Sequence, residues 1–305
     1  MILIDGINIY TEYGIITTSG NNDLLVVASI IEPESIDWPE QDGLDVDLSE
    51  IFLDNKNVSI GFACVSSDNV KIDNFLAFLT RPGYRHIYSE DLDRTYILRV
   101  NSETNREVYN AGQPFTIQLI DDFPLNAFRD QTQRSGHGLQ APKQVYHLDG
   151  ISLNEYGLTV LEGSEKEVYK MPELKENLAI KSNFLNGIRY DADFVRFKAK
   201  DVALECAFYC DTIERFNANY NAFFSDLIKP ELRQLYIEYA YEEFSCYYKS
   251  TSNFDFIRKN NVVACKFTLT LTFTSCRPKE SVYVWGSQNN RVIMTEDSKN
   301  AIIYK

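Results

Sequence analysis

Two stretches of this chain are nearly the same phrase, and that repetition constrains the fold more than any other feature. Residues 3–15 read LIDGINIYTEYGI and residues 147–158 read HLDGISLNEYGL. Both carry Asp-Gly-Ile and then Glu-Tyr-Gly, with one residue deleted between the blocks. Further matches follow in the same order. NVSIGFAC at 57–64 corresponds to DVALECAF at 201–208, both alternating in a way that puts every second residue on one face of a strand. FLAFLTRPGYRHIY at 75–88 corresponds to FFSDLIKPELRQLY at 223–236, and FTIQL at 115–119 to FTLTL at 267–271. Between the second and third matches the offset grows from 144 to 148, an insertion of about one α-helical turn inside a stretch that reads as helix in both places. Four ordered matches point to an internal duplication: copy one over 1–130, a linker over 131–144, and copy two with a C-terminal extension over 145–305.

Each copy reads as a strand, a long irregular excursion, a strand, a helix, two strands in quick succession and a final strand. In copy one the helix starts near Asp68 and places Ile72, Phe75, Leu76 and Leu79 on one face before Pro82 stops it. In copy two Asp211, with Glu214 three residues later, has the spacing of a capping box. The stripe there is Ile213, Phe216, Tyr220, Phe223 and Leu227. YILRV at 96–100 and FTLTLTF at 267–273 alternate between an apolar face and a face of Thr, Gln or charge. The expected fold class is mainly β: in each copy a β-sandwich or curled antiparallel sheet, with one helix closing its open side. The joining stretch 128–143 is polar and aperiodic, a linker or a loop ordered only against a neighbour. Beyond Pro278, the short apolar runs VYVW, RVIM and AIIY suggest two or three added strands.

Hydrophobic residues make up 44% of the 305 and aromatics 13%, enough to build cores. No secretory signal and no membrane-spanning stretch is expected, and six cysteines without a CxxC pair read as buried free thiols in a reducing compartment, which fits cytoplasmic synthesis. The net charge of −14 is uneven: residues 1–145 hold 22 acids and 10 bases, the remainder 22 and 20. Residues 31–54 hold nine acids and no base. They read as a solvated acidic loop; a Ca²⁺ site at Asp42, Asp45 and Asp47 lacks the spacing and turn glycine of an EF-hand. Such a surface repels phosphate, so specific nucleic-acid binding is not expected.

Sequence signs of catalysis are missing. The three histidines, His86, His137 and His147, have no ligand partners at helical spacing, and no nucleophile elbow, zinc-protease, P-loop or dinucleotide motif is present. No enzyme activity and no cofactor or metal is expected. The repeated residues carry more information. Arg85 and Arg233 occupy equivalent places just past each helix, followed by Tyr88 and Tyr236. Either each guanidinium satisfies carbonyls or a carboxylate of its own copy, or the set reaches across an interface.

The order of helix at 75–79, Arg85, acidic turn at 89–93, Tyr-bearing strand at 96–100 and alternating strand at 115–119 resembles the N-terminal domain of distal tail proteins of long-tailed phages, which share the tail-tube fold. The resemblance covers residues 44–124 best, and 188–274 through the duplication. It departs from the family in the second half, which repeats the helical unit where a galectin-like module is usual. The resemblance implies a virion structural protein in a hub ring around the DNA channel, with other tail proteins (tube, tape measure, tip) as partners and no membrane. Thr268, Thr270 and Thr272 would then face the lumen, and three chains could close a pseudo-six-fold ring, or six chains a ring of one copy decorated by the other. The alternative is a glycan- or receptor-binding β-sandwich with Trp38 and Trp285 as contacts.

Overall fold

The computed structural model describes residues 1–65, 69–104, 107, 112–129, 131–143, 145–176, 179–184, 186–189, 195–277, 283–284 and 303–304. In the first half, β1 (Ile2–Ile4) and β2 (Ile7–Asn8) form a hairpin, followed by α1 (Ile9–Tyr13), β3 (Ile15–Ser19) and α2 (Asn21–Leu25). An excursion bearing β4 (Ser35–Ile36) and β5 (Asp45–Val46) leads to β6 (Lys56–Cys64), α3 (Asn69–Leu79), β7 (Arg85–Ser89), β8 (Arg94–Thr104) and β9 (Gln113–Asp121). The second half has β10 (Tyr146–Leu148), β11 (Ile151–Ser152), a 3-10 turn over Leu153–Tyr156, β12 (Leu158–Val160) and α4 (Glu165–Tyr169). It continues with β13 (Lys200–Cys210), α5 (Ile213–Leu227), β14 (Arg233–Ile237), β15 (Glu242–Lys259) and β16 (Val262–Phe273).

The protein is mainly β, built from two antiparallel sheets of seven strands. Their orders are β2-β1-β7-β8-β9-β6-β3 and β11-β10-β14-β15-β16-β13-β12. Taken element by element, the two orders are the same. Each sheet bends at its longest strand: β8 pairs with β7 through Leu98 and with β9 from Arg99, and β15 changes partner at Cys246. A β-bulge follows at the same place, between Val100 and Ser102 in one sheet and between Tyr248 and Ser250 in the other. An unpaired extra residue sharpens the local twist there and curls the sheet.

Local chemistry explains the repeated phrase. Asp5-Gly6 and Asp149-Gly150 sit at φ 50° and 79°, and at 49° and 78°, the doubly left-handed turn that a two-residue hairpin needs. Asn8 then caps α1 with its side chain, and Ser152 caps the 3-10 turn. Gly14 and Gly157 close these segments in the left-handed conformation, at φ 64° and 62°. The deleted residue shortens a five-residue α-turn to a four-residue 3-10 turn. The inserted turn falls in the long helices, 11 residues in α3 against 15 in α5.

Ile72, Phe75 and Leu79 of α3 and Ile213, Phe216, Tyr220, Phe223 and Leu227 of α5 are buried, with Leu76 only half-buried. The N-cap of α5 is Thr212, whose hydroxyl accepts the Arg215 N–H, and not Asp211; that carboxylate instead accepts Arg215 Nε at 2.6 Å. Asp68 lies outside the described residues. The single helix expected per copy is joined by short ones, α1 and α2 in the first half and α4 in the second. Near the C-terminus, Tyr283–Val284 pairs antiparallel with Ile303–Tyr304, and the RVIM run lies outside the described residues. Five of the six cysteines are buried and Cys276 is half-buried. Among the described residues no helix is long and apolar enough to cross a membrane.

Candidate assembly interface

Arg85 and Arg233 perform one task twice. Arg85 donates from Nη1 to Asp5 Oδ2 at 2.9 Å, from Nε to the Leu79 carbonyl at 3.2 Å, and from Nη2 to the carbonyls of Pro82 at 3.0 Å and of Arg81. Arg233 donates to Asp149 Oδ2 at 3.0 Å and to the carbonyls of Pro230 at 2.6 Å and Glu231 at 3.4 Å. The other carboxylate oxygen of each aspartate accepts a backbone N–H, from His86 at 2.9 Å and from Gln234 at 2.8 Å. Arg85 therefore ties the last carbonyl of α3, which lacks a helical partner, to the repeated Asp-Gly turn, and Arg233 ties the segment just past α5 to the equivalent turn. Burial pushes the Asp5 pKa up, but the His86 N–H and the Arg85 charge outweigh it and hold the carboxyl below its usual value. These bonds all stay within one half.

The other sequence candidates are spread out. Tyr88 donates to Asp93 at 2.7 Å, and the Tyr236 ring lies 5.8 Å from that of His147. Thr268, Thr270 and Thr272 do occupy the polar face of β16, but register lays carboxylates over two of them. The Thr268 hydroxyl donates to Glu205 at 2.8 Å and the Thr272 hydroxyl to Asp201 at 2.7 Å, and both residues are buried, while Thr270 is half-buried. The groups presented outward there are therefore Asp201 and Glu205, paired with Lys249 and Lys266. Trp38 is part exposed, and Trp285 lies outside the described residues.

The structure brings together a set that sequence reading passed over, the excursion of the first half against the second. Leu24 to Ala28 is a buried strip. Its backbone is held from the other half: Val27 N–H donates to Thr251 Oγ1 at 3.0 Å, and the Tyr248 hydroxyl donates to the carbonyls of Ala28 at 2.9 Å and Val27 at 3.1 Å. The Tyr220 hydroxyl donates to the Leu25 carbonyl. Ile30 N–H donates to the carbonyl of Lys249, the bulge residue of β15, at 3.0 Å. β14 has ended by this point, so the strip lies along the part of the β15 edge that β14 leaves open.

The acidic stretch keeps eight of its nine acids exposed, as a solvated loop does, and also touches the second half at a few points. Lys175 is buried, donates to the carbonyls of Trp38 at 2.8 Å and Gly43 at 2.7 Å, and pairs with Asp37. Asp42 accepts the Phe197 N–H at 2.9 Å and pairs with Arg277 at 3.3 Å. Leu44 N–H reaches the Thr274 carbonyl at 2.8 Å. A Cβ on Gly43 would stand 1.8 Å from that same oxygen. No group of three acidic, His or Cys side chains suited to a metal occurs among the described residues. The stretch around 135, read as a linker, packs onto the second half: Ser135 N–H donates to Asn219 at 2.8 Å, and buried His137 bonds the Tyr209 carbonyl at 2.8 Å.

Where the halves meet, a cavity of about 240 Å³ is lined by Val26, Lys56, Arg94, Tyr96, Asp121 and Tyr220, among others. Lys56 is buried and donates to the Leu24 carbonyl. Desolvation, aided by Arg94 and opposed by Asp121, pushes its pKa down to about 7. Desolvation likewise raises the Asp121 carboxyl and takes Tyr96 up to about 12.

Fold and contacts together define a protein of two like-ordered β-sheets clasped by an excursion of one on the edge of the other. No protein-family model and no curated protein matches the chain. Among solved structures it is similar to the crystal structure of the Dit protein of phage SPP1, described as a paradigm of the hub adsorption apparatus in phages infecting Gram-positive bacteria. That match has 10% identity and a TM-score of 0.32, over 89% of this chain and 97% of the other. At that score the likeness adds no argument to the geometry.

Proposed function

We propose that the chain is a structural subunit of a phage or prophage tail or a tail-like machine, a distal tail or hub ring protein that surrounds the DNA channel and joins tube to tip. In this reading a gene duplication produced the units 1–130 and 145–305, with 131–144 between them. The observation that carries it is the pair of sheets with one strand order, the excursion of the first laid on the open edge of the second. That is a head-to-tail contact, which generates a ring when its rotation closes. Three chains then supply six like units, and the acidic surface keeps DNA from adhering in the channel. The partners are further copies of the chain and the tube, tape-measure and tip proteins, and the place of work is the virion tail.

Native mass spectrometry and electron microscopy of the full chain, alone and with co-expressed tail proteins, test the proposal. Trimers or hexamers seen end-on as rings are expected. A chain that stays monomeric at high concentration and forms no ring with those proteins would refute it.

A further inference from the structure

The excursion of the second half is built like that of the first, yet it docks on no equivalent surface among the described residues. Counting 144 residues on, the bridge Ile30 to Leu53 becomes the bridge Leu174 to Phe197, and the pair Ile36 and Asp45 becomes Ile180 and Arg189. The flanking hydrogen bonds repeat too. Ile31 N–H donates to Phe52 at 2.8 Å and Asp54 N–H to Ser29 at 2.9 Å; Lys175 N–H donates to Arg196 and Lys198 N–H to Glu173, each at 2.8 Å. This pattern makes each bridge a non-hydrogen-bonded pair, so the N–H groups of Ile30 and Leu174 point away from it. Ile30 gives its proton to the bulge carbonyl of Lys249. Leu174 has no such acceptor among the described residues. Where Leu25 and Val27 of the docked strip are 0% and 2% exposed, their counterparts Tyr169 and Met171 are 59% and 61% exposed, and Leu174 is 44% exposed.

Part of a matching receiver exists in the first half, the free edge and its bulge carbonyl, while Tyr220, Tyr248 and Thr251 have Ile72, Val100 and Glu103 in their places. The bulge of β8 puts Asn101 where β15 has Lys249, and β7 stops pairing at Leu98 as β14 stops at Cys246. Asn101 and Ile97 are exposed there. Charge runs the right way for this contact. The receiving half carries 22 acids against 10 bases, and residues 165–198 carry seven bases against six acids, whereas the excursion already docked, at 31–54, has nine acids and no base.

We propose that the second-half excursion docks on the first half of another copy of this chain. It donates Leu174 N–H to the Asn101 carbonyl and buries Tyr169, Met171 and Leu174 along the open edge of β8. The contact repeats between chains the backbone part of the one already made within a chain, the bond from Ile30 N–H to the bulge carbonyl, as strand addition to a free sheet edge. It rests on the ring reading above and adds the two surfaces that would join the subunits.

The test uses the full chain with Cys276→Ser, the remaining five thiols being buried. Asn101→Cys and Leu174→Cys are introduced together, and a short bismaleimide is added. A ladder of cross-linked dimers and higher species is expected, absent when either cysteine is present alone. In parallel, Met171→Asp with Leu174→Asp should weaken self-association by roughly tenfold or more, the loss of one buried anchor, with an unchanged circular-dichroism spectrum. Association that survives the aspartates, with no ladder, would overturn this inference and leave the ring reading standing on another surface. A chain that neither associates nor cross-links at any concentration would overturn both.

Discussion

Replacing Lys56 by Met should make the protein more stable at neutral pH, and the gain should disappear as the pH rises. Lys56 opens β6 with its ammonium buried between the halves, 5.6 Å from the Tyr96 ring centre and bonded to the Leu24 carbonyl. Burial lowers its pKa from 10.5 to about 7. Between those values the unfolded chain holds a proton that the folded chain does not, so stability from this group rises with pH across the window. Below the folded value both states are protonated and the whole penalty is in force. About 3.5 pH units at 1.36 kcal/mol each set it at roughly 4–5 kcal/mol. Met has similar volume and no charge, and it gives up the hydrogen bond to Leu24, a loss of about 1.5–3 kcal/mol. The net gain at pH 7 is then about 2 kcal/mol. It should fall by about 1.4 kcal/mol per pH unit and change sign between about pH 8 and 9. Urea unfolding of both proteins at pH 7, 8, 9 and 10 measures the difference, in which the titrations of tyrosines and thiols common to both cancel. A difference that stays flat with pH would refute the reasoning, because it would mean that the adjoining cavity solvates the ammonium.

Gly43→Ala forces a methyl group to within 1.8 Å of the Thr274 carbonyl at a residue with φ 82°, and should cost at least about 3 kcal/mol in urea unfolding while freeing the acidic excursion to proteolysis. Arg85→Ala should destabilise by about 2 kcal/mol by the same assay, since it leaves Asp5 and the Leu79 carbonyl at the end of α3 without their donor. Arg233→Ala should cost less, since its acceptors lie past α5 and its bond to Asp149 is exposed. The depressed Asp5 pKa contributes stability that is present above its normal value of 3.8 and lost as the pH falls below it; acid unfolding of Arg85→Ala should lack part of that loss. A thiol reagent should modify one cysteine, Cys276, in the native chain and all six in denaturant, because the other five are buried and burial raises the thiols of Cys206, Cys210, Cys246 and Cys265.

Much of the layout was legible because it is local. The alternation of NVSIGFAC and DVALECAF marks β6 and β13, the apolar stripes mark α3 and α5, and the offset between the repeats even locates the extra turn of α5. Contacts between distant residues were not legible. Asp5 and Arg85 both stood out as repeats, yet nothing in a string of letters says that residues 80 apart meet through a carboxylate. Period two correctly put Thr268 and Thr272 on the polar face of β16, but only the pairing of β16 with β13 sets Glu205 and Asp201 over them. The run LLVVA at 24–28 reads as one more apolar strand, and its partner surface is made by β15 and α5, more than 190 residues on. One signal was available: Gly43 and Gly187 stand 144 apart, both with positive φ, and so mark a second pair of equivalent turns.

What the sequence determined by itself is the local vocabulary: hairpin turn, helix, alternating strands and the Arg that follows each long helix, all set by steric and hydrogen-bonding preferences over a few neighbouring residues. What only the tertiary structure decided is how one unit meets the other. Burial, register and the desolvation of Lys56 depend on which surfaces are brought together in space: Leu25 and Val27 are buried against the second half, whereas their counterparts Tyr169 and Met171 are exposed.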